Sequence, residues 1–170
     1  MDSGHKEILY LDRAKNELYL AKAIFKLSSD KELKLEFELK EDTTFFSNVI
    51  SSSYYCIFYS AKALLHSKGI KTEPPDEHQK TLKEFEKLAS SGEIDLELLK
   101  IYKSMVIKAQ YLLGIFIKEK SKRGKFTYKK LPQANMEPAE ESIENAEKFF
   151  NNINLIIIGP NGKFTEKQYK

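Results

Sequence analysis

Six polar side chains recur along one stretch of this 170-residue chain, Asn48, Ser52, Tyr55, Tyr59, Lys62 and His66, at steps of four, three, four, three and four. On a helix that spacing is one continuous line, an edge about 27 Å long at ~1.5 Å per residue that carries an amide, three hydroxyls, an ammonium and an imidazole. Tyrosine offers a face on which a base can stack and a hydroxyl for a phosphate or a sugar, so such an edge suits RNA or a nucleotide. The chain's arginines are only two, Arg13 and Arg123, against 26 lysines, and Arg123 is followed by Lys125 and Tyr128. A guanidinium set in a basic run is a fork fitted to phosphate. His78, in PPDEHQK, adds an imidazole that titrates near neutrality. Each has a plainer reading: tyrosines at the margin of a bundle with their hydroxyls in water, a solvated histidine in a first helical turn, and a charge in a solvated linker.

These residues need helices to hold them. Phe46, Ile50, Tyr54, Ile57, Ala61, Leu64 and Leu65 lie beside the polar line at the same spacing, which predicts an apolar face turned to the core. That helix is expected to begin after Asp42, as its N-cap, and to run to Lys68 with Gly69 as its stop. Residues 5–28 carry a helical stripe of Ile8, Leu9, Leu11, Leu18, Ala21, Ile24 and Phe25. A shorter helix should start near Asp76, after two prolines, and end at Ser90, Ser91 and Gly92. Leu98, Ile101, Tyr102, Met105, Ala109, Leu112, Leu113 and Phe116 mark another from about Asp95 to Glu119. The last runs from near Pro138 to Gly159 and Pro160, giving five helices in all. The segments 34–40 and 125–130 alternate apolar and polar residues and are read either as a small β-ribbon or as irregular surface loops.

Bulk properties fit one self-sufficient domain over residues 1–159, followed by a flexible tail at 160–170. With 41% hydrophobic and 31% charged residues, disorder is excluded. The net charge is +3, but residues 118–130 alone carry +6, which leaves −3 for the remainder. No apolar run approaches the ~20 residues of a spanning helix, so no membrane role is expected. Together with the lone Cys56 and an N-terminus unlike a signal peptide, this makes the cytoplasm the expected location. There is no Glu-x-x-His pair for a di-iron site, no zinc spacing and no phosphate-binding glycine loop, so no cofactor or metal is expected.

The run SxxYYxxFYxAKALLxxxG, here Ser51, Tyr54, Tyr55, Phe58, Tyr59, Ala61 to Leu65 and Gly69, followed by a short loop and His78, resembles HEPN domains (higher eukaryotes and prokaryotes nucleotide-binding). The stand-alone small prokaryotic proteins of that family are the nearest in pattern. Arg123, Tyr128 and AEESIENAEKFF at 139–150 are similar to the later helices of that group. The resemblance implies an all-α, up-and-down bundle of four or five helices, a homodimer, and a toxin–antitoxin-like pairing with a small nucleotidyltransferase. It also implies metal-independent RNA cleavage in those members where an arginine and a histidine are separated by four to six residues. Here Tyr128 stands in the histidine's place, and a phenol of pKa about 10 is a poor proton acceptor near neutrality. The expectation is therefore binding of RNA or a nucleotide without efficient catalysis, with His78, Arg123 and Tyr128 as the weak catalytic candidates. The alternatives are a protein-interaction module and an RNase with a rearranged site, in which His66 or His78 supplies the imidazole.

Overall fold

The computed structural model describes residues 6–113 and 135–160. Six helices lie within them: α1 (Lys6–Ser29), α2 (Lys31–Glu36), α3 (Phe46–Ser67), α4 (Glu77–Ser90), α5 (Leu96–Leu113) and α6 (Met136–Ile158). The all-α expectation holds. The helix anticipated to Glu119 is described as far as Leu113, and Leu112, Leu113 and Phe116 lie outside the described side chains.

The apolar stripe of α3 explains the architecture. Fifteen of its 22 residues are buried, so it is wrapped by its neighbours and acts as the central rod. The antiparallel α1 covers one flank, with Phe25 meeting Phe46 at one end and Glu7 meeting His66 at the other. On another flank α6 runs parallel to α3, its Ala146 carbonyl beside the Cys56 thiol and its first residue, Met136, beside the same cavity as Phe46. Phe85 of α4, Tyr102 of α5 and Phe149 of α6 interlock edge to face or at a tilt, with centroids 5.3–5.9 Å apart, and close the core.

Helix ends follow local chemistry. Gly69 adopts φ +77° after α3, and the amides of Gly69 and Ile70 return to the carbonyls of His66 and Leu65. That is a glycine stop with the double hydrogen bond that satisfies orphan carbonyls. Asp42 does not cap α3: the helix starts at Phe46, and Phe45 occupies the cap position without a side-chain bond. What tethers this entry is the Phe45 amide, which donates to Ser28 Oγ at 2.9 Å.

The proposed ribbon is overturned at 34–40. Asp30 accepts from the amides of Glu32 and Leu33 and nucleates α2, a run of good helix formers, where alternation alone suggested a strand. The alternation is also inverted relative to the core. Leu35 and Phe37 are 76% and 62% exposed, whereas Lys34 is 6% exposed and donates to the Glu41 carbonyl at 2.7 Å. Residues 125–130 lie outside the described residues, as do Arg123, Lys125, Tyr128 and the tail from 161.

Candidate functional site

The line predicted on α3 exists, and α1 and the start of α4 close over most of it. Asn48 is exposed near the start of α3, and Ser52 is buried against Glu17 of α1. Tyr55 and Tyr59 are half-buried, their rings stacked with centroids 6.1 Å apart. Tyr10 of α1 also stacks with Tyr59, at 6.4 Å, and the Arg13 guanidinium carbon lies 4.4 Å from the centre of the same ring. Arg13 is exposed, so a cation is held over a tyrosine face at the rim of the seam, a contact worth about 0.5–1 kcal/mol in such settings.

Further along, the ammonium and the imidazole of the line are already met by carboxylates. Lys62 Nζ donates to Glu77 Oε2 at 2.8 Å and lies 5.0 Å from the Tyr10 ring. Burial works against its charged form, but the bond to Glu77 and the neighbouring Tyr10 outweigh burial, so the ammonium is held above its ordinary range. His66 Nδ1 sits 3.2 Å from Glu7 Oε2. These two residues therefore fix α1 and α4 to α3 more readily than they could serve an incoming phosphate.

His78 is not a solvated first-turn residue. It is half-buried, its ring stacked on Phe58 at 4.1 Å, and its Nδ1 lies 2.7 Å from the Tyr54 hydroxyl. Tyr54 has no exposure, and burial raises its pKa far above the usual phenol value, so the hydroxyl keeps its proton. A buried O–H needs an acceptor, and Nδ1 supplies one when the imidazole is neutral with its hydrogen on Nε2. Protonation would turn Nδ1 into a donor and leave the buried Tyr54 hydrogen without this acceptor. Burial independently pushes the His78 pKa below 6.5, Glu77 opposes this and Lys62 reinforces it.

A pH dependence follows with a definite sign. Because the folded state prefers neutral His78, its contribution to stability is complete above pH 6.5 and is lost as pH falls through the lowered folded value. Tyr54→Phe removes the opposing donor, so the His78 pKa should rise and the acid-side loss below pH 6.5 should shrink. NMR titration of the imidazole measures the first, and urea unfolding at pH 7 and pH 5.5 the second.

Sequence patterning found the α3 line and His78 but passed over Tyr10, Arg13 and Glu17, which recur at steps of three and four on α1 and line the facing side of the seam. Their spacing alone does not set them apart from any polar edge of an amphipathic helix. Cys56 is buried, its thiol pushed up to about 12 by burial, which leaves it an inert filler. Among the described residues no cluster of His, Cys, Asp and Glu could hold a metal ion, and no helix is long and apolar enough to cross a membrane.

A helical bundle built on a tyrosine-rich central helix, with a histidine returned to it from the next helix, defines a class as well as a fold. The HEPN domain model matches residues 17–156, and the chain belongs to the HEPN family. Membership gives it a nucleotide- or RNA-related function in general. No curated protein and no solved structure matches the chain significantly.

Proposed function

We propose that this HEPN protein binds single-stranded RNA or a nucleotide at the rim of the α1, α3 and α4 seam, without efficient catalysis, and acts in a toxin–antitoxin-like pair with a small nucleotidyltransferase. The observation that carries the binding role is Arg13 over Tyr59, with Tyr55 stacked behind it. A phosphate-seeking fork and two tyrosine faces thereby share one solvent-facing edge. Arg123, Lys125 and Tyr128 of the basic run join it in this reading as contacts along the phosphate backbone. The contact between His78 Nδ1 and the Tyr54 hydroxyl supports the absence of catalysis: in the tautomer where Nδ1 accepts from Tyr54 and Nε2 carries the hydrogen, the lone pair that would take a proton is already engaged.

Affinity for single-stranded RNA should fall steeply between low and moderate salt. Arg13→Ala should both weaken it and flatten the salt slope by one phosphate contact, about 0.7 in log–log units. Absence of binding at low salt removes the reading. RNA cleavage in EDTA that vanishes in His78→Ala would instead establish the RNase alternative.

A second reading, docking of another protein or a second copy, has its own support. Leu9, Tyr19 and Leu20 of α1 and Leu155 and Ile156 of α6 are each about half exposed, on adjacent antiparallel helices. A homodimer in the cytoplasm joined to a nucleotidyltransferase would use this face. Sedimentation as a monomer with no co-purifying partner counts against it.

A further inference from the structure

Because α1 runs antiparallel to α3, its side chains meet the polar line in reverse order. Glu7 meets His66, Tyr10 and Arg13 meet Tyr59, and Glu17 meets Ser52. Ser52, Tyr55 and Tyr59 are successive steps of three and four on α3. The Tyr55 ring therefore lies along the seam between a carboxylate and a guanidinium. Burial raises the Tyr59 pKa, Arg13 opposes this and Glu17 adds to it, so both charges lie within reach of one phenol.

Glu17 is the acceptor that the binding role described above leaves unused. Its side chain is half-buried, and burial raises its pKa above 4.5, opposed by a hydrogen bond from Ser52 and by the charge of Arg13. Ser52 is itself buried, so the carboxylate is held by a fixed donor. One hydroxyl occupies one of about four acceptor positions on a carboxylate, and Arg13 sits over the Tyr59 ring, 4.4 Å from its centre. Lone pairs on the carboxylate thus remain for a ligand, and a base lying on the open part of the Tyr55 ring would bring its hydrogen-bonding edge to them.

The four bases differ in what they offer such an acceptor. Guanine presents two adjacent donors, N1–H and the N2 amino group, spaced for the two oxygens of one carboxylate. Adenine and cytosine present one amino donor beside a ring-nitrogen lone pair, which a carboxylate repels. Uracil presents one N–H between two carbonyls. We infer that the seam selects guanine, with the base stacked on Tyr55, its N1–H and N2–H donating to Glu17, and its phosphate toward Arg13. This rests on the RNA- or nucleotide-binding role and names the base that the role leaves open.

The test is the affinity of the full chain, read by fluorescence anisotropy at low salt, for short uridine oligonucleotides with one central G, A, C or inosine. The G oligonucleotide is expected to bind about tenfold more tightly than the A or C one, the scale of a bidentate contact to a base. Inosine lacks the N2 amino group, so it should lose most of that preference with the protein unchanged. Glu17→Gln, whose amide cannot accept both hydrogens, should bring the G-to-A ratio to within about twofold. GMP against AMP separates the two sources of the base. A preference there as well means that a free guanine nucleotide suffices, and a preference confined to the oligonucleotides means that the base is read within a strand. Equal binding of the four oligonucleotides, inosine bound as tightly as G, or a Glu17→Gln variant that weakens all of them and keeps the ratio overturns the guanine assignment and leaves RNA binding at the seam standing. Absence of binding to every oligonucleotide and nucleotide overturns both.

Discussion

Phe58→Ala is expected to lower the stability of the fold by about 3–5 kcal/mol, the usual cost of removing a buried aromatic ring when the site cannot collapse. Phe58 is 1% exposed and touches more of the site than any single polar residue does. Its ring meets His78, Tyr54, Tyr55 and Tyr59, with centroids between 4.1 and 6.4 Å apart. The cavity would open where α4 is pinned to α3, so His78 should lose its stacking partner and become solvated. Phe58→Leu, which keeps most of the volume, should cost under about 1.5 kcal/mol. Urea unfolding of the three proteins checks the magnitudes. Equal small losses for both variants would mean that the ring does not fill the space between the helices.

Glu77→Ala should be the most damaging polar substitution, at about 2 kcal/mol. The Lys62 side chain is 7% exposed, and without Glu77 its ammonium stays buried with the Tyr10 side chain and the Phe58 ring beside it but no carboxylate in hydrogen-bond contact. Breaking a fully buried pair costs about 3–5 kcal/mol, and the estimate here is smaller because Glu77 retains 31% exposure and water can reach the gap. The loss belongs to the stranded charge, not to a missing bond, so the double variant Lys62→Met with Glu77→Gln should recover most of it. A double-mutant cycle from thermal or urea unfolding reads this directly. If the double variant is as unstable as Glu77→Ala, the pair is not what fixes the start of α4.

These two residues also show what a sequence can and cannot reveal. Phe58 sits in a run whose three-and-four spacing marks a helix, and the apolar face anticipated on α3 is buried at each named position. Such spacing is a property of one element, so it is legible in one dimension. Glu77 became part of the site only because α4 returns to α3. A contact between residues 15 apart through a loop has no local signature. The same limit hid Tyr10 and Arg13, whose relevance depends on α1 lying antiparallel to α3 and presenting that face to the tyrosines.

The error at 34–40 was of a different kind. KLEFELK alternates, but Asp30 offers two amides a cap, and the short helix it starts places Lys34 inward and Leu35 outward. Capping won over periodicity because six residues carry too few apolar positions for a period to dominate. His66 and Lys62 lie on the polar line of α3, as their spacing requires. What one dimension could not show was that carboxylates from α1 and α4 already meet them, which moves the accessible part of the site toward Tyr55, Tyr59 and Arg13.

The central claim is that nucleic acid meets the seam at that rim. Titration of the full chain with a short single-stranded RNA at low salt, followed residue by residue through NMR shifts, tests it most directly. The largest shifts are predicted at Arg13, Tyr55 and Tyr59, with smaller ones at Lys62 and His66. Saturable RNA binding that leaves those three residues unmoved would contradict it.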